Sequence, residues 1–411
     1  MTGSTCRSCG ATLNQTFVDL GETPLANSYP GAAELDRPDR RYPLHARVCQ
    51  DCFLVQVDAV VPSEEIFSDY AYFSSYSESW VDHARRFTEI ARRRFALDSQ
   101  SLVVEVASND GYLLRHFVDA GVPVLGVEPA ANVAVVAEAA GVPTAVRFFG
   151  RETAADLVAD GKAADLVVGN NVLAHVPDLN DFVAGLGALL KPGGVVSLEF
   201  PHLLRLMEEV QFDTIYHEHF SYFSLIALEP VLARHGLRLF DVDTLATHGG
   251  SLRLYACHAD CEGHQEGPGL DAVRGAERDA GLGELSTFTG FAARVATVKD
   301  ALRAFLETAK SQGKTVVAYG AAAKGNTLLN TCGIGTDLIE YVVDASPHKQ
   351  GRYLSGSRLP IVSPERLAET KPNYVLILPW NLRHEIIGQN PTVGDWGGRF
   401  VVPIPITKVL P

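Results

Sequence analysis

The sequence has little positive charge and lacks long apolar runs. It contains 35 Lys and Arg residues against 49 Asp and Glu residues, a formal net charge of -14 at pH 7. Nucleic-acid binding draws most of its affinity from basic contacts with phosphates, so this balance argues against DNA or RNA as a partner. No segment approaches the roughly eighteen uninterrupted apolar residues of a membrane-spanning helix, and no signal-peptide pattern is present. We therefore expect a cytoplasmic protein without membrane association.

The compositional bias of a disordered chain is also missing. Of the 411 residues, 46% are hydrophobic and 20% are charged, as in an ordinary globular protein. A chain of this length exceeds the size at which one hydrophobic core keeps growing. We expect an α/β protein with three domains, at residues 1–66, 67–283 and 284–411. The sequence leaves the oligomeric state open and does not exclude a monomer.

Cysteine is scarce, but four of the seven cysteines form two close pairs. Cys6 and Cys9 form one Cys-x-x-Cys, and Cys49 and Cys52 form another. In a reducing compartment such pairs favour a metal over disulfides, and four thiolates suit tetrahedral zinc. Four cysteines would occupy every position around the metal and leave none for a catalytic water. The pattern therefore predicts a structural zinc site in the first domain.

From residue 101 onwards apolar runs alternate with helical stretches, which predicts parallel strands with crossover helices. The turn after the first strand reads Glu-Val-Ala-Ser-Asn-Asp-Gly at 105–111, with Gly111 expected to open the next helix. Glu128 ends the second strand, at the spacing of a ribose-binding acid. The turn lacks the earlier glycines of G-x-G-x-x-G, which let a backbone approach the pyrophosphate of a dinucleotide. S-adenosylmethionine carries no phosphate and fits this turn better.

In this interpretation the carboxylate of S-adenosylmethionine meets backbone donors at 109–111, Glu128 accepts hydrogen bonds from the ribose, and two phenylalanines flank the adenine. The segment at 169–178, Gly-Asn-Asn-Val-Leu-Ala-His-Val-Pro-Asp, resembles that of class I S-adenosylmethionine methyltransferases, where it borders both cofactor and substrate. The predicted cofactor-binding residues are Ala107, Ser108, Asn109, Gly111, Glu128, Pro129, Phe148, Phe149, Asn170 and Asn171.

Titratable and aromatic side chains crowd one short stretch at 212–224. If this stretch is helical, Tyr216 and His219 lie at i and i+3 and share one face. A second metal site is disfavoured, because His217-Glu-His219 lacks the i, i+4 histidine pair of H-E-x-x-H. The stretch is therefore our candidate for the reaction centre.

Short motifs along the whole chain form a combined signature. They are the two cysteine pairs, Asp-Tyr-Ala-Tyr-Phe-Ser-Ser at 69–75, Asn-Asp-Gly at 109–111, Phe-Asp-Thr-Ile-Tyr-His-Glu-His-Phe at 212–220, His-Gly-Gly at 248–250, Tyr-Gly-Ala-Ala-Ala-Lys-Gly at 319–325 and Trp-Asn at 380–381. With them the chain resembles the S-adenosylmethionine-dependent sugar C-methyltransferases of deoxysugar pathways, such as tetronitrose biosynthesis. The resemblance implies a zinc-binding domain, a class I methyltransferase domain and a C-terminal Rossmann-like domain that contributes to substrate binding.

The resemblance also implies a nucleotide-linked 4-keto-deoxysugar as substrate, a dTDP-sugar in that family, methylated on a carbon beside the keto group. It assigns proton removal to His219 and stabilisation of the enolate to Tyr216. Unperturbed pKa values of about 6.5 for imidazole and about 10 for a phenol suit these roles. His217 remains a second candidate for the base. The implied catalytic residues are His219, Tyr216, Glu218, His175 and Tyr70.

The C-terminal part repeats the βαβ pattern. Residues 320–327 follow a strand and open a helix, where Lys324 would add charge to a phosphate site, although a plain structural turn explains the segment equally well. Trp380 and Asn381 leave the end of a strand, where open α/β sheets bind ligands. The predicted substrate-binding residues are His248, Gly250, Lys324, Asn326, Trp380 and Asn381.

Two other activities fit parts of the sequence. An NAD-dependent oxidoreductase or epimerase of nucleotide sugars could use the C-terminal unit, but the missing glycines in both turns count against it. A methyltransferase that acts on oxygen or nitrogen would need a base but no enolate stabilisation. Only the family resemblance favours carbon as the acceptor.

Overall fold

The structure is a computed structural model that describes residues 4–62 and 73–411. These residues form an α/β protein with three β-sheets and helices packed around them. The helices are α1 (Glu78–Arg94), α2 (Leu114–Asp119), α3 (Ala131–Ala139), α4 (Arg151–Ala159), α5 (Leu179–Leu189), α6 (Leu203–Glu208), α7 (Leu225–Arg234), α8 (Pro268–Asp279), α9 (Leu285–Thr289), α10 (Phe291–Ser311), α11 (Ala323–Thr331), α12 (Arg366–Thr370) and α13 (Arg383–Gln389). Within the described ranges, none of the helices combines the length and the apolar character needed to cross a bilayer.

The N-terminal sheet is antiparallel and includes one strand from the central part of the chain. Its strands, in spatial order, are β1 (Gln15–Thr23), β2 (Tyr42–Val48), β3 (Val55–Val57) and β9 (Ser221–Tyr222). The ring of Phe17 stacks on Phe291 of α10, with ring centroids 4.3 Å apart, so this sheet also packs on the C-terminal part. Because β9 begins two residues after His219, its pairing with β3 links the N-terminal sheet to the candidate reaction centre.

The central sheet has seven strands, and its middle is parallel. In chain order they are β4 (Val103–Val106), β5 (Val124–Val127), β6 (Thr144–Ala145), β7 (Ala164–Asn170), β8 (Leu190–Pro201), β10 (Leu237–Leu245) and β11 (Ser251–His258). Their spatial order is β10-β11-β8-β7-β4-β5-β6, and β11 runs antiparallel to both of its neighbours. All four residues of β4 are buried, as expected for a strand covered by helices on both faces. From β4 the chain continues to β5 and β6 on one side and then crosses to β7 on the other side of β4. This change of direction opens a crevice at the carboxyl ends of the strands.

The C-terminal sheet has six strands and a second crevice of this kind. In chain order they are β12 (Val316–Tyr319), β13 (Val342–Val343), β14 (Ile361–Val362), β15 (Tyr374–Ile377), β16 (Arg399–Val402) and β17 (Lys408–Val409). β12 lies between β13 and β15, and Gly320 follows it with a φ of +90°. A side chain at Gly320 would also collide with Pro379, so the turn into α11 depends on glycine.

Candidate active site and zinc centre

A cavity of about 900 Å³ lies between the carboxyl ends of the strands of the two parallel sheets. Its walls include the residues after β4, β5 and β7 on one side and those after β12 and β15 on the other. α1 and Asn27 of the N-terminal part complete the lining. The volume is near the upper end of the range for ligand sites, about 300–1,000 Å³. The cavity is therefore the candidate active site.

Most of the predicted cofactor-binding residues line the wall formed by the central sheet. These are Ala107, Asn109, Glu128, Pro129, Phe148, Phe149, Asn170 and Asn171. Ser108 is fully buried and Gly111 is packed against Ala137, so neither residue contributes to the lining of the cavity. The prediction that Gly111 opens a helix is wrong, because α2 begins only at Leu114. The donors near Asn109 are therefore N–H groups of a turn that precedes the helix.

Glu128 is held in a fixed orientation at the end of β5. One carboxylate oxygen accepts a hydrogen bond from the N–H of Asn109 and the other from the N–H of Ala130, both at 2.9 Å. Burial raises the pKa of Glu128, and these two hydrogen bonds oppose the rise. Each oxygen keeps a second lone pair, with which it can accept a ligand hydroxyl in the cavity.

The Glu128→Ala variant should bind S-adenosylhomocysteine about tenfold more weakly or worse, because hydrogen bonds to a charged acceptor contribute about 1.5–3 kcal/mol. Isothermal titration calorimetry measures this change. Glu138→Ala removes the same charge from an exposed position on α3 and should leave the affinity unchanged. Equal affinities of the two variants would exclude Glu128 from the cofactor site.

Asn170 presents a buried amide to the cavity. Its polar neighbour is the Tyr112 side chain, which also lines the cavity. The geometry leaves the amide without a well-aligned hydrogen bond among the described residues, so it can bind a polar group of a ligand.

The candidate reaction centre is a turn rather than the helix considered from the sequence. A 3-10 turn at Phe212–Thr214 is followed by a second turn, in which the N–H of His219 donates to the carbonyl of Tyr216 at 2.9 Å. The centroids of the Tyr216 and His219 rings are 4.0 Å apart, and the His175 ring meets His219 edge-on at 4.7 Å. All three side chains line the cavity.

Hydrogen bonding defines the tautomer of His219. Its Nδ1 lies 2.8 Å from the carbonyl oxygen of Thr214. A carbonyl can only accept, so Nδ1 carries the proton, and the neutral ring keeps a lone pair on Nε2. Burial lowers the pKa of His219 well below its usual value, and the nearby His175 lowers it further. The ring is therefore neutral at pH 7 and able to accept a proton.

Two neighbours of His219 face away from the cavity. Glu218 is buried, and both of its carboxylate oxygens accept from the Asn27 side-chain amide, at 2.8 and 2.9 Å. Burial raises the pKa of Glu218 to about 7. His217 has Nε2 at 3.3 and 3.2 Å from the carbonyls of Tyr42 and Pro43. Neither lines the cavity, and Tyr70 lies outside the described residues.

The opposite wall brings together three of the predicted substrate-binding residues, His248, Lys324 and Asn381. The Lys324 ammonium group donates to Asn381 Oδ1 at 2.8 Å and lies 5.0 Å from the centroid of the Trp380 ring. Trp380 itself does not line the cavity; its indole N–H donates to the buried carboxylate of Asp213 at 2.7 Å. It therefore supports the wall from behind.

Two predicted substrate-binding residues lie elsewhere. Asn326 is buried and donates to the carbonyl of Ala26 and to Ser355 Oγ, so it joins α11 to the N-terminal segment. Gly250 packs against Arg205, and a Cβ there would lie only 2.7 Å from its side chain. Neither residue lines the cavity, and their assignment to ligand contact stays a prediction.

Part of the cavity lining was not predicted from the sequence. Trp80 and His83 of α1 stack at 4.9 Å, and Trp80 meets the His248 ring at 5.2 Å. Lys349 donates to the carbonyl of Ala321 at 2.8 Å at the far wall. No local motif marks these residues, because the association of distant segments brings them to the cavity.

The four paired cysteines converge in the N-terminal part. Their sulfur atoms all lie within 4.8 Å of one another, and the Sγ distances Cys6–Cys52 and Cys9–Cys49 are both 3.5 Å. A tetrahedron with Zn–S bonds of about 2.3 Å has sulfur separations of about 3.8 Å. Gly10 follows the first cysteine pair with a φ of +79°, a conformation that glycine adopts without steric cost. The four thiolates match a structural zinc ion.

Three family models match successive parts of the chain. Residues 6–67 match the family model of a zinc binding domain, residues 80–242 that of a methyltransferase domain, and residues 246–405 that of a C-methyltransferase C-terminal domain. The C-methyltransferase NovU of Streptomyces niveus is 39% identical over 405 residues, which are 98% of this chain and 96% of that protein. The chain belongs to the C-methyltransferase family.

This relationship confirms the family assignment made from the motifs. The C-methyltransferase uses S-adenosylmethionine as methyl donor and zinc as structural metal. Other similarities are partial. A ubiquinone biosynthesis O-methyltransferase of Methylobacterium is 36% identical over 97 residues, 23% of this chain and 38% of that protein. The structure of a Burkholderia thailandensis 1,6-didemethyltoxoflavin-N1-methyltransferase covers 50% of this chain and 95% of its own, with 18% identity and a TM-score of 0.37.

Proposed function

We propose that this C-methyltransferase methylates a carbon beside the keto group of a nucleotide-linked 4-keto-deoxysugar through an enolate. The cavity has room for two ligands side by side. The cofactor turn, residues 107–111, lies on one wall of the cavity, and Lys324 and Asn381 lie on the other. The cationic ammonium group of Lys324 suits an anionic nucleotide diphosphate. The reaction centre on the His219 turn lines the same cavity.

The observation that carries the mechanism is the hydrogen bond from His219 Nδ1 to the carbonyl of Thr214. It leaves Nε2 as the basic atom of a ring that lines the cavity. Nε2 removes the proton from the acceptor carbon, and the electron pair of the C–H bond becomes the enolate, with negative charge on the former keto oxygen. A hydroxyl donor such as that of Tyr216, whose ring lies against His219, stabilises this oxyanion.

S-adenosylmethionine, when bound, supplies an electrophilic methyl group for the carbon nucleophile. The protein contributes a base and the placement of the acceptor carbon beside it, since loss of a proton alpha to a ketone is slow in bulk solvent. Glu218, with its pKa raised to about 7 by burial, and Asn27 support the turn from behind.

The function is tested with a dTDP-4-keto-deoxysugar, the zinc-loaded full chain and methyl-labelled [13C]S-adenosylmethionine. We expect the 13C label to be bonded to a sugar carbon in the NMR spectrum of the product. In D2O, with S-adenosylhomocysteine in place of the methyl donor, we expect deuterium to enter the same carbon faster than in an enzyme-free control. A label on oxygen or nitrogen, or hydride transfer on addition of NAD, would contradict the proposal.

A further inference from the structure

Arg7 connects the zinc knot, formed by Cys6, Cys9, Cys49 and Cys52, to the candidate base His219. It lies between the zinc ligands Cys6 and Cys9 in the sequence, and its side chain reaches the residues that join β3 and β9. Nη1 donates to the carbonyl of Phe220 and approaches Ser221 Oγ at 3.5 Å, and Nη2 donates to the carbonyl of Val57 at 2.9 Å. Phe220 directly follows His219, so the guanidinium group holds the carbonyl group of the residue after the base.

Both backbone groups of Phe220 are held by hydrogen bonds. The N–H of Phe220 donates to the carbonyl of Ala174 at 2.6 Å, and its carbonyl accepts from the N–H of Val57 at 3.1 Å as well as from Arg7. Ala174 immediately precedes His175, whose ring meets His219 edge-on. The contacts that fix Phe220 therefore fix the relative position of two cavity-lining histidines.

The metal loop in turn determines where Arg7 lies. The backbone N–H of Arg7 donates to Gln56 Oε1 at 3.0 Å, and Gln56 Nε2 contacts Cys6 Sγ at 3.2 Å. The guanidinium group stays cationic at neutral pH, because arginine does not lose its proton in proteins. Zinc with four thiolates carries a formal charge of about -2, which favours a buried cation beside it. The anionic knot and the carbonyl of Phe220 both stabilise the same guanidinium group.

We propose that Arg7 is a positioning residue that couples the zinc knot to the orientation of His219. The proposal rests on the base role given to His219 above. Displacement of a reacting group by about 1 Å can reduce a rate about a hundredfold, so a small shift of the turn would be visible in kinetics.

The test compares Arg7→Ala, Arg7→Lys and Arg234→Ala in the full-length, zinc-loaded protein. Arg234 also binds the segment between Cys6 and Cys9, through Ser8 O and Ser8 Oγ, and contacts Asn180, but it does not contact the His219 turn. Arg7→Ala should lower kcat and the rate of deuterium wash-in by about ten- to a hundredfold. Zinc content should stay at about one per chain and S-adenosylhomocysteine affinity should stay the same, since the ligands and the cofactor wall are untouched. Arg7→Lys should recover part of the rate, and Arg234→Ala should keep the wild-type rate.

A second readout is independent of activity. The imidazole N–H proton of His219, assigned by its loss in His219→Asn, should shift or broaden in Arg7→Ala and stay in place in Arg234→Ala. Equal losses of rate or of zinc in Arg7→Ala and Arg234→Ala would overturn the proposal, because Arg7 would then only anchor the knot. An unchanged rate and resonance in Arg7→Ala would overturn it as well. If His219→Asn were fully active, the proposed function would fail first, whatever Arg7→Ala does to the N–H resonance.

Discussion

Replacement of His219 by asparagine is expected to lower the rate of methyl transfer by about a thousandfold, within the range of roughly 10²–10⁴ for loss of a general base. The asparagine amide nitrogen takes the place of imidazole Nδ1 and can still donate to the carbonyl of Thr214. Nothing replaces the lone pair of Nε2. Single-turnover measurements by mass spectrometry give the rate, and deuterium wash-in should fall in parallel, because both follow the same proton removal.

His217→Asn is the matched control. The His217 ring packs against Tyr42 and its Nε2 lies near two main-chain carbonyls outside the cavity. Its replacement should change the rate by less than about fivefold, because a group remote from the reacting atoms contributes little to transition-state stabilisation. If His217→Asn is inactive while His219→Asn retains activity, the two histidines have the opposite roles.

The pH dependence gives an independent check on His219. Burial and the nearby His175, His248 and Lys324 lower its pKa, so it gains a proton only at a pH below its usual value of about 6.5. Wash-in by the wild-type protein should therefore be retained down to pH 6.5 and fall in more acidic solution. If the residual rate of His219→Asn still changes near pH 7, that change would belong to Glu218, because burial raises the pKa of Glu218 to about 7.

Part of the central sheet was predictable from apolar runs in the sequence. β4, β5, β7 and β8 are apolar runs followed by turns, and the structure contains all four. β6, β9, β14 and β17 have two residues each, too few for any periodicity. β9 also joins a sheet whose other strands lie more than a hundred and fifty residues earlier, and local sequence cannot indicate such pairing.

The candidate site was predictable where chemistry is encoded in a short motif. The cofactor turn, the His219 turn and the four cysteines are local patterns, and each occupies one place in the structure. Asn27, Trp80 and Lys349 reach the same cavity from separate segments, through packing that no motif describes. Asn326 shows a related limit, because a residue in a ligand-like motif can equally hold two segments together.

The Cys49→Ala variant is expected to lose its zinc and the order of the N-terminal sheet. Loss of a residue that is hydrogen-bonded to a metal ligand already weakens metal binding about 10- to 100-fold, and loss of a direct ligand should weaken it more. Small domains without a large core depend on such metals for folding, and zinc binding contributes directly to their folding free energy. Elemental analysis of the purified variant should show far less than one zinc per chain.

Hydrogen exchange locates the consequence. In Cys49→Ala the amides of β2 and β3 should lose protection, and the loss should extend through the β3–β9 pairing to residues beside His219. Methyl transfer should fall with it, while the amides of β12 and β15 keep their protection because they belong to a separate sheet. Cys257→Ala truncates a fully buried thiol in β11 and should retain both zinc and the protection of β2. If Cys49→Ala kept stoichiometric zinc and a protected β3, the knot would be held by contacts other than the metal, and the link from zinc to the base would not exist.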